Sequence, residues 1–151
     1  MVAGRVYVAS SWRNEYQPLV VAHLRDSGFE VYDFKNPGPG DNGFHWSEIS
    51  PTWQSWGPEE YREALTHPLA ENGFATDMDA LVDADAVVLV QPCGRSAYLE
   101  LGWAIGAGKL GIVLLSEAIE PELMNKMATV CLSLDEVCAA LAAVGALPGD
   151  G

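Results

Sequence analysis

A chain of 151 residues is the size of one ordinary domain, and 49% hydrophobic against 19% charged residues is the composition of a globular protein, not a disordered one. A formal net charge of −13, with 8 Lys and Arg against 21 Asp and Glu, repels a polyphosphate and argues against a nucleic-acid polymer as the main ligand. No apolar run reaches the roughly 18 residues of a membrane span, and the first residues lack the charged start and apolar stretch of a signal peptide, so a cytoplasmic protein is expected.

Arg5 to Ser10 is apolar and β-branched and reads as a first strand. Asn14 to Ser27 carries Leu19, Val20, Ala22, His23 and Leu24 on one broad helical face, with Gly28 as its stop. Phe29 to Phe34 alternates as a second strand. Residues 35–57 hold Gly, Pro, Asn and the aromatics Phe44, Trp46, Trp53 and Trp56, the composition of a long ordered loop. Pro58 opens a short helix to Leu65, and Thr76 is expected to cap a further helix ending at Asp83. Ala84 to Val90 is a buried strand, Ser96 to Gly108 a helix, Gly111 to Leu115 a strand, Thr129 to Leu132 a short strand and Asp135 to Ala143 a closing helix. Residues 145–151 read as a frayed tail. The odd number of cysteines, Cys93, Cys131 and Cys138, with no C-x-x-C pair, points to reduced thiols and neither disulfides nor a zinc site.

Strands alternating with helices, most of them continuous apolar runs, predict an α/β fold: a flavodoxin-like, doubly wound, five-stranded parallel sheet of order 2-1-3-4-5, helices on both faces, in one domain spanning residues 1–151. Ligands of such sheets bind beyond the carboxyl ends of the strands, at the switch point between strands 1 and 3. That rule selects Ser10 to Asn14, Gln91 to Ser96 and the first turn of the helix holding Glu100.

Between Arg95 and Lys109, Glu100 is the only charged residue, and its neighbours are nearly all apolar or small. A carboxylate there must be hydrogen-bonded, paired or neutral. Favourable placement in the first helical turn would account for it electrostatically; a capping box would not, since Ser96 lies four positions before it and the box needs three. Alternatively the carboxylate is a nucleophile that attacks an anomeric carbon, with a second carboxyl group serving the leaving group. Asp77, Asp79, Asp83 and Asp85 are the candidates for that partner.

Three segments carry a family resemblance: Val6-Tyr-Val-Ala-Ser-Ser-Trp-Arg13; Asp77 with Leu81 and Ala84-Asp85 before an apolar strand; and Ser96-Ala-Tyr-Leu-Glu-Leu-Gly102 with Ala104 and Gly108-Lys109. Together they resemble the nucleoside 2-deoxyribosyltransferase family, which includes nucleotide N-glycosidases, over roughly residues 5–35 and 74–116. The resemblance implies Glu100 as the nucleophile that forms a glycosyl ester, Asp77 as the acid/base or base-orienting residue, and Ser10, Ser11 and Arg13 as a turn lining the sugar or phosphate pocket. It implies no cofactor or metal, and a small nucleoside or nucleoside 5′-monophosphate as substrate. Where transferases of the family can carry an acidic residue that helps hold the base, this chain has Gly94, followed by Arg95 and Ser96. An arginine and a serine at a helix N-terminus form an anion site, which favours a 5′-phosphate.

Trp12 is placed to stack on a base or ribose, Tyr98 to donate its hydroxyl to the nucleophile or the 2′-position, and Phe44-His45-Trp46 to close over the base. The helix of Glu100 also carries Leu99 and Trp103 and is apolar nearly all round, so a homodimer is expected, and Leu123 to Met127 is a further segment able to reach a neighbour. Competing readings are a TIR-like NAD glycohydrolase and a non-catalytic nucleotide-binding module. Neither G-x-x-x-x-G-K-[ST] nor G-x-G-x-x-G occurs.

Overall fold

The computed structural model describes residues 4–143 and Gly145. Its elements, in chain order, are β1 (Arg5–Ala9), α1 (Gln17–Asp26), β2 (Glu30–Asp33), α2 (Pro58–Ala64), α3 (Pro68–Asp83), β3 (Ala86–Val90), α4 (Arg95–Gly106), β4 (Leu110–Leu114), β5 (Thr129–Cys131) and α5 (Leu134–Ala143). Short 3-10 turns lie at Trp46–Glu48, Trp53–Ser55 and Leu123–Met127. Apart from Gly145, the tail expected to fray lies outside the described residues. Two compact units are present: Phe34–Val82, and the described residues before and after it.

The discontinuous unit is a five-stranded sheet in the order β2-β1-β3-β4-β5, parallel throughout, as the alternation of strands and helices predicts. All five residues of β3 are buried, because the strand is central and covered on both faces. Side chains alternate across the pleat. Val6 and Val8 of β1, Val88 and Val90 of β3, and Ile112 and Leu114 of β4 join Val20, Val21 and Leu24 of α1 and Val137 and Leu141 of α5 in one hydrophobic core. Tyr7, Val87 and Val113 occupy the alternate positions, and α4 packs on β1, β3 and β4 with Ala97, Leu101 and Ala104 buried. That helix lies close to the sheet: a Cβ at Gly111 would sit 2.6 Å from Ile105 Cγ1 and 2.9 Å from Leu101 Cδ1. Asp85 joins the starts of β1 and β3, its carboxylate accepting from the Arg5 amide at 2.8 Å while its own amide donates to the Arg5 carbonyl at 2.8 Å.

The Phe34–Val82 unit has an aromatic centre. The Trp46 ring meets Phe44, Trp56 and Tyr61 edge-on, with centroids 4.9, 5.7 and 5.9 Å apart. Phe44 lies on the bare backbone of Gly73, where an added Cβ would be 2.9 Å from Phe44 Cβ. The start of α3 differs from expectation. The helix begins at Pro68, not after Thr76, because proline suits a first helical turn and the His67 ring accepts the Leu69 amide at 3.1 Å. Thr76 is therefore mid-helix, and its hydroxyl bonds back to the Asn72 carbonyl at 2.9 Å. Among the described residues no helix is long and apolar enough to cross a membrane.

Candidate active site

At the carboxyl end of β1 the chain is tied to the end of β3. Ser10 donates its hydroxyl to the Val90 carbonyl at 2.8 Å, and the buried Asn14 donates to the carbonyls of Val90 at 3.3 Å and Pro92 at 2.9 Å. Asn14 Oδ1 meanwhile accepts the amides of Tyr16 at 2.8 Å and Gln17 at 3.0 Å, which launches α1. Ser11 accepts the Arg13 amide at 3.2 Å, leaving Trp12 and Arg13 exposed on the rim. Gly94 is the extended N-cap of α4, and Arg95 and Ser96 are exposed in its first turn. Amides, guanidinium and hydroxyl there can meet an anion.

Glu100 is the sixth residue of α4, which starts at Arg95 and not Ser96, and so lies in the second turn of the helix, not the first. The helix dipole acts mainly within the first turn, so it does not account for the charge. A side chain does. The hydroxyl of Tyr7, fully buried on β1, donates to Glu100 Oε2. The Tyr7 ring is held in turn by stacking on Tyr32 of β2, at a centroid distance of 5.0 Å. A charge-assisted bond from a locked phenol is the pairing that a carboxylate in this setting requires. One carboxylate oxygen is thereby bonded to a fixed donor.

Cys93 is a neutral neighbour of this couple. Its thiol is pushed up to about 11, first by burial and second by the negative charge of Glu100. Tyr98 takes a different direction from Glu100. Two residues apart on a helix is about 200° around its axis; Glu100 reaches β1, whereas Tyr98 accepts from the buried amide of Gln91 beyond β3.

Asp77 lies half-buried on α3 and lines a cavity of about 110 Å³ in the Phe34–Val82 unit, with Phe34, Asp41, Phe44, Glu48 and Asn72 among its other walls. His45 serves its own turn, its ring nitrogen 3.1 Å from the Asn42 carbonyl and its amide donating to Glu48 at 2.9 Å. Among the described residues no group of three or more His, Cys, Asp or Glu side chains is placed to hold a metal ion.

Three contributors escaped the sequence reading. Tyr7 stood inside the first motif but passed for strand filling, although a phenol in the middle of a valine strand is an anomaly that asks for a partner. Asn14 and Gln91 lay at the ends of the chosen loops but carried no role of their own there. Their roles depend on contacts 76 to 78 residues away for Asn14 and seven for Gln91.

No family model matches the chain, and no curated protein matches it. Among solved structures it is similar to a 2-deoxyribosyltransferase from the psychrotolerant bacterium Bacillus psychrosaccharolyticus, with a TM-score of 0.59 and 18% identity over 89% of this chain and 90% of that one. The chain has the fold of that 2-deoxyribosyltransferase. A CMP N-glycosidase of Clostridium botulinum is similar with a TM-score of 0.49 and 19% identity, over 93% of this chain and 98% of that one. The deoxyribosyltransferase fold agrees with the family that the motifs around Tyr7, Asp77 and Glu100 resemble.

Proposed function

We propose that the protein cleaves the N-glycosidic bond of a nucleoside or nucleoside 5′-monophosphate through a covalent ester on Glu100. The observation that carries this reading is the Tyr7–Glu100 couple: an acidic side chain of α4 facing a parallel sheet, one oxygen held by a buried phenol of β1. With Oε2 held, Oε1 attacks C1′ and the C1′–N bond breaks, its electron pair passing to the base nitrogen. Oε2 then becomes the carbonyl oxygen of the ester and keeps the Tyr7 hydrogen bond. Asp77, in the role the resemblance gives it, supplies the proton that the departing base takes up. Water, or the nitrogen of a second base, attacks C1′ from the vacated side, and the bond to Oε1 breaks to restore the carboxylate. Two displacements retain the configuration at C1′.

We assign the 5′-phosphate to the start of α4, where Arg95 and Ser96 are exposed beside the Gly94 cap, with Arg13 on the neighbouring rim. Ser10 and Ser11 shape that rim, and Trp12, exposed there, offers a ring face to the sugar or base. We read both compact units as parts of one catalytic domain, and a homodimer as the assembly that covers Leu99 and Trp103, which α4 leaves exposed.

The test is incubation with nucleosides, their 5′-monophosphates and NAD, scored by chromatography for free base and by intact mass for a glycosylated protein. Base release from monophosphates, together with an adduct the mass of a pentose 5-phosphate that Glu100→Gln does not form, is the expected result. Release from NAD alone would move the assignment to an NAD glycohydrolase, and no release from any of them would leave a binding module.

A further inference from the structure

Buried polar side chains gather at one end of the sheet. Apart from the Tyr7 phenol, those among the described residues are Asn14, Gln17, Asp33 and Gln91. Asn14 lies in the loop after β1, Gln17 opens α1, Asp33 closes β2 and Gln91 follows β3. All four therefore sit at the carboxyl ends of the strands, the end at which such sheets bind ligands. A buried polar group is tolerated for what it bonds, and the bonds of these four run between segments. Gln17 donates to the Asp33 carboxylate at 2.8 Å, which ties the start of α1 to the end of β2. Gln91 donates to the Tyr98 hydroxyl, which ties the end of β3 to α4.

Asn14 is the most heavily committed of them. Its side-chain amide donates to the carbonyls of Val90 at 3.3 Å and Pro92 at 2.9 Å, and accepts the amides of Tyr16 at 2.8 Å and Gln17 at 3.0 Å. Two donated and two accepted bonds are the full capacity of a carboxamide. Ser, Thr or Asp would serve the α1 amides as well; the two N–H groups aimed at Val90 and Pro92 are what asparagine adds. Its backbone amide donates to the Ser11 carbonyl at 3.0 Å and closes the turn that carries Trp12 and Arg13. Across the switch point, Pro92 leads through Gly94 to Arg95 and Ser96. One buried residue thus joins the two segments to which the sugar phosphate is assigned above.

We propose that Asn14 is a positioning residue: it fixes the spacing between the 10–13 turn and the 91–96 segment, and through that spacing the affinity for the sugar phosphate. The inference rests on the substrate reading given above and names what holds that site in shape. Without the brace the two segments must be ordered by the ligand, which costs affinity and raises KM. The Tyr7–Glu100 couple makes no bond to Asn14 and keeps its geometry, so kcat holds.

The test separates the two halves of the amide. Asn14→Ser keeps an oxygen for the α1 amides and removes both bonds across the switch point. Calorimetric titration of the full chain with ribose 5-phosphate, the sugar product of hydrolysis of a ribonucleoside monophosphate, should show binding weakened roughly 10-fold. KM for the monophosphate should rise by a similar factor, with kcat within about 3-fold of wild type. Asn14→Asp, of unchanged size, also serves α1 but turns an acceptor toward the two carbonyls, and should weaken binding at least as much. Leu24→Ala, in the core, is the stability control: it should lower Tm and move neither constant. Unchanged affinity and KM in both Asn14 variants, a kcat loss larger than the KM rise, or an equal KM rise in Leu24→Ala would each overturn the proposal. So would a wild-type protein that does not bind ribose 5-phosphate. Weakened binding in Asn14→Ser without base release by the wild type would keep the brace and remove the Glu100 chemistry; base release with indifferent Asn14 variants would do the reverse.

Discussion

The two faces of the central sheet use the same three strands for different ends. Toward α1 and α5, the strands present Val6, Val8, Val88, Val90, Ile112 and Leu114, and the helices answer with valine and leucine. Toward α4, the alternate positions include Tyr7 and the bare Gly111, and the helix brings Glu100 along with its small buried residues. The first face removes apolar surface from water and nothing else. The second gives up part of that burial to bring a helix close and to seat a phenol against a carboxylate. With Glu100 in the role proposed above, stability and chemistry are divided between the faces, which makes them separable by substitution.

Glu100→Gln should break the chemical face most completely, lowering base release by roughly 10⁴ or more while leaving Tm nearly unchanged. Near wild-type turnover in that variant would return Glu100 to a structural role. Leu24→Ala, on the opposite face, should show the reverse pattern. Leu24 is fully buried in the core, so its truncation should cost about 2–5 kcal/mol in urea denaturation, with kcat of the folded fraction preserved. A parallel loss of kcat would mean that the two faces are coupled after all.

Tyr7→Phe sharpens the comparison because it alters a fully buried residue at constant shape. The carboxylate loses its fixed donor, and kcat should fall by roughly 10–100-fold, with a smaller change in KM. An unchanged kcat would show that the hydrogen bond holds the resting state only.

The smallest effect concerns Cys93. Its thiol, raised from 9.0 to about 11, is neutral at ordinary pH, so alkylation at pH 8 should be slow compared with a free thiol. Because burial is the first cause and Glu100 the second, Glu100→Gln should speed the labelling only a few-fold. The sign for stability follows. The folded state favours the protonated thiol, so its contribution is fully present below pH 9.0 and is lost as pH rises toward about 11. Labelling as fast as for a free thiol would place Cys93 outside the shelter of this face.

Sequence alone determined the class of the fold. Continuous apolar strands separated by helical periods leave few arrangements other than a covered parallel sheet, and right-handed crossovers set its order. It also exposed Glu100, because a lone charge in an apolar helix violates a rule that holds for every chain. The tertiary structure alone decided what satisfies that charge. Tyr7 lies 93 residues from Glu100, and nothing local distinguishes a phenol that fills a core from one that holds a carboxylate. The start of α3 was likewise beyond local reading, since Gly73 inside a helix argues against one until Phe44 is seen resting on it. With the helix begun at Thr76, Asn72 and Gly73 lay outside any expected element, and the cavity that Asn72 lines with Asp77 had no period to be recognised by. Hydrophobic pattern is a property of neighbours along the chain; the polar walls of a pocket are assembled from residues that become neighbours only on folding.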